Sequence, residues 1–184
     1  MDSPTQLRMM VYASLFAALT AVGAFLAIPI GPVPIVLQNM FVYLAGLLLG
    51  SRWGLASVGV YLLAGACGLP VFAGGLGGIG RIIGPTGGYL IGYLPTVFII
   101  GKISARSNPR AIFDVLAMIC GSVALYACGI TWLKIVTGMT LAKTLAVGMV
   151  PFLIGDALKI AAAAAIARAL RPIVRVPGYE IRDT

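Results

Sequence analysis

Residues 68–88 read GLPVFAGGLGGIGRIIGPTGG, with nine glycines, two prolines and a single charge, Arg81. Apolar sequence of helix length lies on both sides. Glycine is unfavourable in a helix interior and open to backbone angles that other residues avoid, so this stretch predicts an ordered irregular loop. Irregular backbone at membrane depth survives only when buried in protein or lining a cavity. A loop this poor in charge, set between membrane-type segments, therefore points to closure over a small molecule.

The chain around it has 184 residues, 60% hydrophobic and only 10% charged. A soluble domain carries about 25% charged residues, so most of this surface has to face lipid: the protein is an all-α integral membrane protein. The net charge of +8 comes from basic residues in short connections and the tail. It reads as topology and contact with anionic headgroups, not as nucleic-acid binding. The chain contains no histidine, which removes the commonest proton shuttle and metal ligand. Cys67, Cys120 and Cys128 show no CxxC spacing and read as small buried hydrophobes, with no metal site or disulfide. The first apolar segment lacks a small-residue cleavage signature and reads as a retained helix.

Crossing the hydrocarbon core takes ~20 apolar residues. Six stretches qualify or nearly do: 7–28, 34–50, 54–68, 88–104, 111–130 and 148–170. Gly50-Ser51-Arg52-Trp53-Gly54 separates the second from the third as a compact turn. With the N-terminus inside, nine Lys/Arg fall on the inner side and four on the outer. That bias predicts a multi-pass protein of the cell membrane with both ends cytoplasmic. The 68–88 loop, Gly31-Pro32-Val33-Pro34 and Thr131–Val147 then face outward. Residues 1–184 form one transmembrane domain, with no soluble domain and no internal repeat.

The last span carries the sharpest chemical signal. Asp156 and Lys159 are three apart and share a helix face, along with Gly148, Phe152 and Gly155. Charges inside a span are expensive and point to a cavity, a partner or a substrate. A structural ion pair is the plainer alternative. Lys159 offers a cation to a carboxylate, while Asp156 either orients that lysine or accepts N–H groups from a ligand. Gln38 and Asn39 stand in an otherwise apolar run, and their amides suit a urea- or amide-like group. Helix packing would use them equally well. Arg81 reads as a ligand contact or as a snorkelling interfacial residue. Tyr89, Tyr93, Tyr126 and Trp132 lie near the outer ends, where an aromatic belt explains them and one or two could also stack on a bound ring. In the first span Ala13, Ala17, Ala21 and Ala24 form a small-residue stripe suited to close helix approach, within the chain or toward a partner.

No GxxxxGK[ST] is present, so this chain has no P-loop for ATP. The glycine loop follows no strand and is not a dinucleotide fingerprint, and a Ser/His/Asp or Cys/His set is impossible without histidine. No catalytic residue, cofactor or metal site is indicated.

Taken in order, Pro32–Gln38, Leu44–Gly50, Gly68–Gly75, Gly84–Tyr89 and Pro151–Lys159 resemble the BioY family across residues 7–170. BioY proteins are the biotin-binding S components of energy-coupling factor (ECF) vitamin transporters. Val36, Asn39 and Arg81 depart from the family's usual pattern. The resemblance implies six transmembrane helices, with the vitamin near the outer face beneath the loops joining helices 1–2 and 3–4. It implies two kinds of partner, a membrane-embedded coupling subunit and a pair of cytoplasmic ATPases. Contact with the coupling subunit would then fall on Ala13, Ala17 and Ala21, and the protein would topple in the membrane to carry its ligand inward.

Biotin suits the candidate residues. Lys159 would pair with its carboxylate, and Gln38, Asn39 and Asp156 would meet the ureido edge. Glycine N–H groups from 74–88, Gly74 and Gly75 among them, would add donors. Phe72, Tyr89 or Trp132 would flank the rings, and Arg81 and Tyr126 complete the candidate set. Three other readings compete: a carrier for another small carboxylated solute, a membrane enzyme using Asp156 and Lys159, and a purely structural subunit.

Overall fold

A computed structural model describes residues 3–28, 33, 35–106 and 111–174. Gly31, Pro32, Pro34, Arg110, Arg175 and Arg182, to which the sequence assigned loop or topology roles, lie outside the described residues. The helices are α1 (Ser3–Phe25), α2 (Gln38–Ala66), α3 (Ile79–Ile83), α4 (Gly87–Arg106), α5 (Ala111–Thr137), α6 (Leu141–Gly148) and α7 (Leu153–Val174). Between α1 and α2, strands β1 (Ala27–Ile28) and β2 (Ile35–Val36) pair antiparallel, Ala27 with Val36 and Ile28 with Ile35.

Five helical stretches are long and apolar enough to cross a membrane. A sixth crossing comes from α2, which folds back on itself. Gly50 has φ 73° and ψ −174°, a left-handed conformation that favours glycine. Beyond it the chain reverses, and a Cβ on Gly54 would stand 3.4 Å from the carbonyl oxygen of Ala45. On a straight helix those residues would lie ~13 Å apart. Gln38 Nε2 likewise reaches the Tyr61 hydroxyl at 2.7 Å, across what would be ~34 Å of continuous helix. The turn predicted at Gly50–Gly54 therefore joins two antiparallel limbs, 38–49 and 51–66.

At ~18 and ~24 Å, both limbs fall short of the ~30 Å hydrocarbon core. Gln38, at the start of the first limb, consequently lies below the end of the bundle. The space above it belongs to the segments before α2 and between α2 and α4. This shortfall makes room for a cavity. The core around it is built by Val42, Tyr43, Ala45, Val58, Tyr61, Val97, Ile100, Ala117, Met118, Ala163 and Ala167. Helix α4 packs tightly against its neighbours: a Cβ on Gly46 would meet Ile100, and one on Gly121 would meet Ile100 and Thr96. Small residues at such crossings let membrane helices associate by van der Waals contact.

Several expectations are corrected. Helix α5 runs on to Thr137, and the 131–147 connection is mostly helical, reversing at Gly138 (φ 65°) into α6. The last long helix starts at Leu153, after a 3-10 turn at Val150–Phe152, because Pro151 has no N–H to continue a helix. The glycine loop contains a helical turn, α3. Cys67, just after α2, and Cys120, within α5, are exposed, since an apolar solvent lets small apolar residues point outward. In α1, Ala13 and Ala17 are 4% and 6% exposed and belong to the core with Met9 and Phe16, while Ala21 is half-buried against it. They pack within the chain. The small residues that α1 turns outward are Ser14 and Ala18.

At the end of the bundle away from the cavity, Arg171 pairs with Asp114 and reaches Ser104 Oγ at 3.1 Å. The cluster ties α7 to the start of α5 and the end of α4. Asp114 has a side chain only 4% exposed, and its apolar neighbours in sequence gave no sign of a partner 57 residues on. Removing one member of a buried pair strands the other. Asp114→Ala should therefore cost about 3 kcal/mol, read as a lowered Tm in detergent. An unchanged Tm would make the pair a bystander.

Candidate functional site

Above the start of α2 lies a cavity of about 470 Å³. Its floor is polar. Gln38 and Asn39 come from the first turn of α2, Tyr126 from α5, and Asp156 and Lys159 from the first two turns of α7. The 3-10 turn aims α7's N-terminus at the cavity, a position that favours a carboxylate, and the three-residue spacing brings Lys159 onto the same face. Asp156 and Lys159 are 6% and 8% exposed, Gln38 and Asn39 2% and 5%.

Three donors converge on the Asp156 carboxylate. Lys159 Nζ (2.9 Å) and Asn39 Nδ2 (2.8 Å) both donate to Oδ1, and the Tyr126 hydroxyl donates to Oδ2. The carboxylate is held by three donors, and with Lys159 it forms a pair of zero net charge. Lys159 makes one of the three hydrogen bonds an ammonium can donate. A carboxylate only accepts, so Asn39 has to turn its NH₂ toward it. Its Oδ1 is left buried without a hydrogen-bond partner. An unpartnered buried acceptor costs about 1–3 kcal/mol, and this one belongs to a residue on the cavity floor.

The wall is apolar and aromatic. Phe72 is the centre of one side, with its ring edge-on to Tyr61 (centroids 5.6 Å apart, planes at 76°). It occupies space that Gly65 leaves open, since a Cβ there would overlap the ring. Opposite stand Tyr89, Tyr93, Leu125 and Phe152. The Tyr89 ring fills the room left by Gly129, and its hydroxyl donates to the Gly148 carbonyl at 2.7 Å. At the rim, Phe25, Gly74, Leu76 and Arg81 line the opening and are exposed. Arg81 carries the one formal charge at the rim.

Of the residues singled out by sequence, Lys159, Asp156, Gln38, Asn39, Gly74, Arg81, Tyr89 and Tyr126 line one cavity. Gly75 and Trp132 do not. Trp132 Nε1 donates to the Gly84 carbonyl at 2.9 Å, and its side chain fills the space beside Gly88, so it anchors the end of the loop. Gly75 (φ 68°) closes a turn, donating to the Phe72 carbonyl at 3.0 Å. Gly78 N–H likewise bonds the Gly65 carbonyl at 2.7 Å. The loop thus spends these N–H groups on its own folding, which corrects the expectation that they serve a ligand.

Sequence reasoning missed the apolar lining, among it Phe25, Val33, Val36, Leu76 and Leu125. Nothing separates a cavity-facing leucine from a lipid-facing one when both solvents are apolar. Among the described residues no group of three Cys, Asp or Glu could hold a metal ion.

A helical membrane bundle with a deep, charge-balanced polar floor and an apolar wall defines a membrane protein that binds a small amphiphilic molecule. The comparisons agree and go further. The chain belongs to the BioY family, whose model matches residues 1–176. It is 39% identical over 167 residues to the biotin transporter BioY of Thermotoga maritima, covering 91% of this chain and 98% of that one. A probable biotin transporter BioY of Pyrococcus horikoshii is 43% identical over 158 residues, covering 86% and 93%. The fold matches a crystal structure of the S-component for biotin from an ECF-type ABC transporter, with a TM-score of 0.88 and 34% identity over 94% of this chain and 95% of that one.

Proposed function

We propose that this chain is the biotin-binding S component of an ECF-type importer, a substrate-binding membrane subunit and not an enzyme. The observation that carries the reading is a cavity whose polar floor, Gln38, Asn39, Tyr126, Asp156 and Lys159, has zero net charge. Such a floor suits a neutral head group that both donates and accepts hydrogen bonds. Biotin's ureido ring has two N–H groups and one carbonyl. The polar side chains of the floor meet the N–H groups, and Lys159 donates to the carbonyl. The thioether ring sits among Phe72, Tyr89 and Tyr93. The carboxylate goes to Arg81 at the rim rather than to Lys159, which Asp156 already neutralises at 2.9 Å.

The cavity faces outward beneath the glycine-rich loop, and the basic end with Arg52, Lys102, Arg168 and Arg171 faces the cytoplasm, as both termini do. A coupling subunit in the membrane and a pair of cytoplasmic ATPases complete the importer. Ser14 and Ala18 are the small residues that α1 offers to the coupling subunit. Reorientation on that subunit delivers biotin inward.

Calorimetric titration of the purified chain in detergent tests the reading. One biotin should bind per chain, with desthiobiotin close behind. Biotin methyl ester, which keeps the head group and loses the charge, should bind about tenfold more weakly or worse. Failure of folded protein to bind biotin would overturn the assignment, and binding of a different carboxylated solute in its place would favour the rival carrier.

A further inference from the structure

Tyr93 stands on α4 one turn deeper than Tyr89, ~6 Å further along the helix. It lines the cavity and is 4% exposed. The other tyrosines packed around the floor each give the hydroxyl a partner. Tyr43 bonds Ser122, Tyr61 accepts from Gln38, Tyr89 donates to the Gly148 carbonyl, and Tyr126 donates to Asp156. Tyr93 hydrogen-bonds to no described residue. Nor is its hydroxyl sealed in: the enclosed side-chain atoms without a partner, among the described residues, are Asn39 Oδ1, Trp53 Nε1 and Ser57 Oγ. The opening left to it is the cavity. Its electrostatic neighbours are Tyr61, Tyr43 and Asp156, so the ring belongs to the apolar wall while the hydroxyl reaches the polar floor.

We infer that the Tyr93 hydroxyl is a second donor to the ligand's carbonyl, beside Lys159, and that the two together select a neutral head group that accepts hydrogen bonds. This rests on the proposed biotin site and adds a specificity-determining group to it. Asp156, the nearest acceptor, is already held by three donors. A phenol proton at this depth therefore gains an acceptor only when a ligand brings one, and a phenylalanine would fill the same space without that cost. A carbonyl oxygen has two lone pairs. Lys159, which gives one proton to Asp156, takes one of them, and Tyr93 takes the other. A head group presenting N–H or positive charge at this point would leave both donors unpaired and face the lysine's charge.

The test compares biotin, desthiobiotin and 2-iminobiotin by calorimetry, with Tm measured on the ligand-free chain. Desthiobiotin keeps the ureido ring and lacks the sulfur; in 2-iminobiotin a guanidinium, which only donates, replaces the urea. Wild type should bind 2-iminobiotin at least about tenfold more weakly than biotin. In Tyr93→Phe, biotin and desthiobiotin should each lose about five- to tenfold, and the ratio of biotin to 2-iminobiotin should fall by a similar factor. The ligand-free Tm should hold or rise, because the hydroxyl removed has no partner in the free protein. Tyr89→Phe, which strips a hydroxyl bonded to Gly148, should instead lower Tm. Biotin affinity within twofold of wild type, equal losses for biotin and 2-iminobiotin, or a loss that spares desthiobiotin would overturn the inference. So would a Tm loss in Tyr93→Phe as large as in Tyr89→Phe, outright failure to fold included. Wild type that binds no biotin would defeat the underlying assignment, and this inference with it.

Discussion

Lys159→Ala should bind biotin at least ~100-fold more weakly than wild type. The lysine is the counter-charge of a carboxylate 6% exposed to solvent, and breaking a buried pair by removing one member costs about 3–5 kcal/mol. Each 1.4 kcal/mol is about a tenfold change in an equilibrium constant. The loss is felt twice: the free protein strands Asp156, and the bound state loses the donor to the ureido carbonyl. Calorimetry should therefore show weakened binding together with a lowered Tm. A double variant, Lys159→Met with Asp156→Asn, separates the two effects. Removing both charges together is close to neutral for stability, so Tm should recover while affinity stays low. Wild-type affinity in Lys159→Ala would remove the pair from the site.

Gly65→Val should be nearly as damaging, although residue 65 does not line the cavity. Any Cβ there overlaps the Phe72 ring. Phe72 is 2% exposed and would have to leave its place, giving up about 2 kcal/mol of burial. The Gly78 N–H to Gly65 carbonyl bond of 2.7 Å holds the next part of the same loop, so the displacement spreads across one wall. Biotin affinity should drop by ~100-fold or more and Tm should fall. Gly59→Val is the control on the same helix: a Cβ at Gly59 meets nothing within 4 Å and the backbone angle is ordinary, so affinity should stay within about twofold. Equal behaviour of the two variants would mean that the Phe72 seat plays no part in binding.

These two positions differ in how well they could be read from sequence. Lys159 and Asp156 stood out because a charge in an apolar span is expensive, and their spacing put them on one face before any fold was known. Gln38 and Asn39 were legible as amides in an apolar run, and Arg81 as the single charge of the glycine-rich loop. Gly65 was not: it sits in an apolar helix that is equally plausible without it, and only Phe72 folding back from the loop makes it indispensable. Ala13 and Ala17 were misread because alanine says that a neighbour is close, not whether the neighbour belongs to the same chain. Trp132 was misread because an indole at a helix end suits a ligand, a headgroup and a loop carbonyl alike.

The amino-acid sequence by itself determined that this is a multi-span helical membrane protein, that it turns at Gly50–Gly54, and that it commits Asp156 and Lys159 to the interior. Those follow from the cost of exposing charge and unpaired backbone to lipid, a cost that each segment meets locally. The tertiary structure alone decided that three donors meet on Asp156, that Asn39 turns its amide NH₂ toward that carboxylate, and that the Gly75 and Gly78 N–H groups are spent on the fold of the loop. Hydrogen-bond direction depends on which groups meet across helices distant in the chain, and that is set by packing.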